Sequence, residues 1–97
     1  MATFFLTNKA VYDLEDIWDY NIATWSEKQA EIYYNLLMDS CQGLAEKPLR
    51  GKSYDSVEKN VLGYKTGEHI IFYRIISADE IEIARILHGM MDLKSKI

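Results

Sequence analysis

The chain has 97 residues, with 11 Lys and Arg against 15 Asp and Glu, a formal charge of −4. Hydrophobic residues make up 48% and charged residues 27%, which describes one folded domain rather than a disordered tail. No apolar run approaches the roughly 20 residues of a membrane span, and the acidic balance argues against generic binding to polyphosphate chains.

Thr3 to Leu6 is a short aromatic-rich run and reads as a strand. Thr7 then has the chemistry of a helix N-cap. From Asn8 to about Thr24 the apolar residues Ala10, Leu14, Ile17, Trp18 and Trp25 follow helical spacing, while Glu15, Asp16 and Asp19 form an acidic outer face. A break at Trp25 and Ser26 follows, with Ser26 and Gln29 in capping-box spacing. The second helix runs to about Lys47, where Pro48 forbids continuation. Its stripe is Ala30, Tyr33, Tyr34, Leu37, Cys41 and Leu44. Helices joined by so few residues lie antiparallel as a hairpin.

Pro48 to Asn60 is a polar connection, after which the period changes from helical to alternating. Val61 to Lys65 is a strand, Thr66-Gly67-Glu68 a turn, His69 to Ile76 a strongly β-forming strand, Ser77 to Glu80 a second turn, and Ile81 to Leu87 the last strand. The order is β-α-α-β-β-β: a single α+β domain over residues 1–97, with a helical hairpin on one face of a small, mainly antiparallel sheet. The other sheet face is expected to stay uncovered and to serve partners.

Charge divides along the chain. Residues 1–48 hold 8 acids and 3 bases (3 − 8 = −5); residues 49–97 hold 7 acids and 8 bases (8 − 7 = +1). A site for an acidic partner therefore belongs to the second half. Cys41 is alone, so it forms no internal disulfide and reads as a small core residue. The N-terminus lacks the basic and long apolar regions of a signal peptide, so a reducing cytoplasmic location is expected. There is no phosphate-binding glycine loop, zinc spacing or nucleophile elbow, so neither cofactor nor metal is expected.

His69 opens one strand and His88 closes another; both read as satisfied or solvent-facing residues rather than as acid–base catalysts. Arg74 and Arg85 sit inside apolar strands. Alternation places Ile81, Ile83, Arg85 and Leu87 on one face of the last strand, with Glu82, Ala84, Ile86 and His88 on the other. A mid-strand guanidinium is costly to bury without a carboxylate. Two readings stay open: an ion pair with an acid such as Glu82 or Asp92, or a cationic point on the uncovered face.

The opening segment LTNKAVYDLEDIWDYNIATWSEKQAEIYYNLL is similar to the helical hairpin of ParE-type toxins from bacterial toxin–antitoxin modules. GYKTGEHIIFYRI resembles their central hairpin, and IEIARILHGMMDL, the most specific segment, their last strand and tail. The resemblance covers nearly the whole chain and implies a RelE/ParE-superfamily fold. It further implies a toxin that blocks DNA gyrase and replication, forms a hetero-oligomer with a ParD-like antitoxin, and neither catalyses a reaction nor reads a nucleic-acid sequence directly. Arg74, Arg85, His88, Met90 and Asp92 are then the residues expected to contact target or antitoxin. RelE-type relatives instead cut mRNA in the ribosome, and Lys52, Arg74, Arg85 and His88 would serve that alternative. The negative net charge and the lack of a tyrosine after the last strand favour the gyrase-type reading. In one place the chain departs from the family pattern. His88, Met91 and Asp92 fit a pattern like HxRMD, but Met90 stands where a basic residue is common, removing a cation and its hydrogen-bond fork.

Overall fold

The computed structural model describes residues 1–89. The first strand, β1 (Thr3–Leu6), leads directly into helix α1 (Asn8–Thr24). Thr7 ties this junction to the last strand. Its hydroxyl oxygen accepts the Ala10 N–H at 3.1 Å and its O–H donates to the Ala84 carbonyl at 2.8 Å. Its own N–H donates to the Ile83 carbonyl. One residue thus caps the helix and staples its start to the last strand.

Helix α2 (Glu27–Glu46) begins at Ser26, whose Oγ accepts the Gln29 N–H at 3.0 Å. It ends at Lys47, before a single 3-10 turn at Pro48–Arg50. That turn and a two-residue strand, β2 (Lys52–Ser53), lie inside the connection expected to be irregular. Hydropathy periodicity cannot register elements of three and two residues. Strands β3 (Leu62–Thr66), β4 (His69–Ser77) and β5 (Glu80–His88) form the expected antiparallel meander. The sheet order is β1-β5-β4-β3-β2, with β1 parallel to β5 and the other pairs antiparallel. Among the described residues the result is a helical hairpin packed on a five-stranded mixed sheet. Neither helix is long and apolar enough to cross a membrane.

The main core lies between the hairpin and the sheet. Ala10, Leu14, Leu37, Cys41 and Leu44 from the helices meet Ile71, Tyr73, Ile81, Ile83 and Ile86 from the strands. Cys41 is fully enclosed there and burial pushes its thiol up to about 12, which makes it an inert packing residue. Trp25 does not continue the α1 stripe. It is the residue at which the helix ends, and it is 70% exposed.

Two expectations about the sheet are corrected. A register shift between Phe72 and Tyr73 pairs Phe72 with Arg85 but Tyr73 with Ile83, leaving Ala84 as the extra residue of a bulge. Alternation therefore restarts: Ile86 joins Ile81 and Ile83 in the main core, and Leu87 faces the other side. That other side is not bare. Val61, Ile70, Phe72 and Leu87 form a second small core, with the Tyr54 ring edge-on to Phe72 at 5.2 Å. The segment after β2 folds back over the sheet to supply Tyr54 and Val61.

Candidate functional site

Beyond Leu6, β1 no longer pairs with β5, so among the described residues the β5 edge from Ala84 onward lacks a neighbouring strand. An unpaired strand edge needs other acceptors for its N–H groups. Asp13, one turn into α1, fills that role: its Oδ2 accepts the Ile86 N–H at 3.0 Å. The same carboxylate takes two hydrogen bonds from the Arg85 guanidinium, Nε to Oδ2 and a terminal nitrogen to Oδ1, both 2.8 Å. Both side chains are largely shielded, at 17% and 11% exposure. These hydrogen bonds lift the Arg85 pKa above its ordinary value and outweigh the opposing effect of burial. The mid-strand arginine is thus ion-paired with an acid from the first helix, Asp13, which the sequence reading did not name; Asp92, one of the acids it did name, lies outside the described residues.

Arg74 also has a carboxylate. It lies on the strand face opposite the hairpin and reaches Glu58 at 3.0 Å, with side chains 28% and 42% exposed. Solvent screens this pair far more than the Asp13–Arg85 pair. Arg74 lines a groove with Ser53, Asn60, Leu62, Ile75 and Ile76. Lys52 lies at the β2 edge with its ammonium over the Tyr54 ring, 5.5 Å from the centroid.

His69 and His88 are directly paired across β4 and β5, their rings perpendicular and 5.5 Å apart. His69 Nδ1 lies 2.6 Å from the Tyr33 hydroxyl, which also accepts the Glu68 N–H at 3.0 Å. The Gly67 turn packs on that tyrosine ring: its φ of 59° is in the left-handed region, and an added Cβ would come within 2.7 Å of the ring. Burial, then repulsion from His88, hold the His69 pKa below its ordinary value, against the opposing pull of Glu68 and Asp13. Burial raises that of Tyr33. The Tyr33 hydroxyl, held between His69 Nδ1 and the Glu68 N–H, makes a latch between α2 and the β3–β4 turn.

The structure thus gathers Arg85, His88 and His69 at one end of β4 and β5, while Arg74 stands apart toward the other end of β4. Met90 and Asp92 lie outside the described residues. Of the helical contributors, Asp13 escaped the sequence reading, and Tyr33 was read only as part of the apolar stripe of the second helix. Asp13 directly precedes the buried Leu14, and an acid on the border of an apolar stripe is the trace of such a partner.

Against known proteins, the family described as "ParE toxin of type II toxin-antitoxin system, parDE" matches residues 4–93. A "Toxin ParE1" of Caulobacter vibrioides is 30% identical over 97 residues, covering 100% of this chain and 99% of the relative. A "Toxin ParE1" of Mycobacterium tuberculosis strain H37Rv is 31% identical over 92 residues, covering 95% and 94%. Among solved structures, "Chromosomal ParDE TA system from P. aeruginosa" superposes with a TM-score of 0.77 at 21% identity, covering 91% of this chain and 96% of that one.

Proposed function

The chain belongs to the ParE toxin family of type II toxin–antitoxin systems, and from that membership we propose that it acts by binding rather than by cleaving bonds. Its target is DNA gyrase in the cytoplasm. Its engagement blocks replication, and a ParD-like antitoxin neutralises it as a hetero-oligomer. The solved neighbour titled as a ParDE system supports the antitoxin partner.

The observation that carries the non-catalytic reading is the state of Arg85. Cleaving RNA through its 2′-hydroxyl requires a cation for the developing phosphorane charge. Arg85 is committed to Asp13 through two 2.8 Å hydrogen bonds and would have to leave a largely shielded carboxylate to serve. The positions proposed to meet target or antitoxin are Arg74, whose screened pair with Glu58 can be exchanged for a partner's carboxylate, His88 at the end of β5, and the sequence positions Met90 and Asp92. Arg85 acts through the strand end that it anchors. Of the residues that would serve the alternative, ribosome-dependent mRNA cleavage (Lys52, Arg74, Arg85 and His88), Arg85 is the one held by this two-point clamp.

A supercoiling and cleavage-complex assay with purified protein tests the reading. Inhibition of gyrase that is relieved by the antitoxin is the expected result. Codon-specific cuts in an in-vitro translation reaction, mapped by primer extension, would replace it with the endonuclease reading.

A further inference from the structure

The segment that leaves α2 reads Lys47-Pro48-Leu49-Arg50-Gly51-Lys52, with three bases and no acid in a chain whose net charge is −4. Helix α2 stops at Lys47, and the 3-10 turn that follows is closed by the Arg50 N–H, which donates to the Lys47 carbonyl at 3.0 Å. Such a turn has three residues per revolution, which brings the side chains at 47 and 50 to the same side. With Pro48 and Leu49 they line a surface hollow of ≈ 450 Å³. Arg50 lies along the last turn of α2: a Cβ at Gly43 would stand 3.4 Å from its guanidinium. The carbonyls at that helix end favour a cation.

Leu49 is 83% exposed, more than any other large apolar side chain among the described residues except the terminal Met1. The turn that carries it is fastened to the core. The buried Tyr73 hydroxyl donates to the Pro48 carbonyl at 2.6 Å and accepts the Gly51 N–H at 2.9 Å, and the proline ring fixes φ between those anchors. The fold thus holds a leucine outward among cations. Lys47, Arg50 and Lys52 are all exposed, and none has an ion-pair partner among the described residues. The neighbouring acid, Glu46, accepts a hydrogen bond from Gln42 at 3.3 Å.

We propose that this spur docks on an acidic surface of a partner protein, with Leu49 seated in an apolar recess and Lys47, Arg50 and Lys52 paired to carboxylates around it. A preformed knob needs little ordering on binding, and the surrounding charges fix its orientation. The acidic outer face of α1 repels the same partner and steers it toward the spur. Leu49 favours a protein over a nucleic-acid backbone: phosphates satisfy the cations but give an aliphatic knob nothing to pack on, and the net charge of −4 opposes a polyphosphate. The contact uses neither Arg74 nor His88 and does not depend on gyrase being the target.

The test uses the full chain, ¹⁵N-labelled, titrated with two synthetic peptides that share one set of Glu residues, interleaved with Leu in the first and with Ser in the second, and with a short DNA duplex. The Glu–Leu peptide is expected to shift the amides of Leu49, Arg50, Gly51 and Lys52 to saturation, and the Glu–Ser peptide to bind more weakly. The duplex should leave those amides in place. Leu49→Ser, a change at an exposed position, should reduce the Glu–Leu peptide to the level of the Glu–Ser peptide. Lys47→Glu/Arg50→Glu should lose at least about tenfold in affinity, the equivalent of 1.4 kcal/mol. Added salt should weaken the native complex, which keeps a readout if the double variant folds poorly. Shifts of these amides by DNA as large as by the Glu–Leu peptide would assign the spur to phosphate and overturn the proposal. So would shifts confined to another surface, or affinities unchanged by Leu49→Ser and by charge reversal.

Discussion

Asp13 and Arg85, 72 positions apart, meet in a two-point clamp of 2.8 Å hydrogen bonds, and the same carboxylate accepts the Ile86 N–H at 3.0 Å. One side chain thereby closes a strand edge and neutralises a mid-strand cation. Asp13→Ala opens both functions together. It takes the two Asp13 hydrogen bonds from a guanidinium that is 17% exposed and the Asp13 acceptor from a strand N–H. A loss of about 3 kcal/mol is expected, the scale for breaking one side of a shielded pair. Urea denaturation of Asp13→Ala, Arg85→Met and the double variant measures it. The double variant should be clearly more stable than the sum of the single losses, giving a coupling of about 1–3 kcal/mol. Additive losses would show that the clamp is only a shared location.

Tyr73 is fully buried, and its hydroxyl holds the turn after α2. It donates to the Pro48 carbonyl at 2.6 Å and accepts the Gly51 N–H at 2.9 Å. Gly51 has to be a glycine because an added Cβ would come within 2.4 Å of that hydroxyl. Tyr73→Phe keeps the ring in the core but strips both partners. The expected cost is about 1–3 kcal/mol, with faster hydrogen exchange at the Gly51 amide and little change at the Thr7 junction. Uniform loss of protection across the whole chain would mean that Tyr73 supports the core by packing alone.

The contrast between these two tyrosine and aspartate contacts and the helices shows what a linear reading reaches. Thr7 and Ser26 cap their helices as expected because a cap is a local bond within three residues. The hairpin and the meander follow from periods of 3.6 and 2, which are also local. Asp13 with Arg85, Arg74 with Glu58 and Tyr33 with His69 join separate elements, and nothing in spacing specifies them. The Ala84 bulge is a further case: one unpaired residue reverses every later side chain, so strict alternation assigned Ile86 and Leu87 to the wrong faces. The second core arose from the same blind spot, since covering a sheet with the 54–61 loop leaves no periodic trace.

His69 gives a pH dependence of fixed sign. Its folded-state pKa lies below the ordinary histidine value, chiefly through burial and then through His88. The unfolded chain therefore binds the proton first as the solution becomes more acidic. The stability tied to neutral His69 is full above the unfolded value of about 6.5 and falls as the pH drops through the lower folded value. Urea midpoints measured from pH 7 down to pH 5 should decrease, and His69→Gln should flatten the part of that slope due to this residue. Titrating the His69 ring by NMR in a His88→Gln variant separates the causes. Removing the neighbouring imidazole should raise the His69 pKa toward the ordinary value without reaching it, because burial remains. An unchanged His69 pKa would assign the whole shift to burial.

The proposed gyrase reading makes position 90 a test of potency. The last strand ends at His88, and His88, Met91 and Asp92 fit the tail pattern that the resemblance implies, in which position 90 would be basic. Methionine at this position supplies apolar contact but neither a charge nor a planar donor fork. If target engagement through the tail needs that cation, this chain is a weakened inhibitor, and Met90→Arg strengthens it. The expected result is gyrase inhibition by Met90→Arg at a lower protein concentration, by about tenfold if one charge-assisted contact of 1.4 kcal/mol is regained. Growth inhibition in a host lacking the antitoxin should increase in parallel. Met90→Lys, with the charge but no fork, should fall between the two. Equal inhibition by all three proteins would show that potency does not reside at position 90 and would return the search for the contact surface to Arg74 and His88.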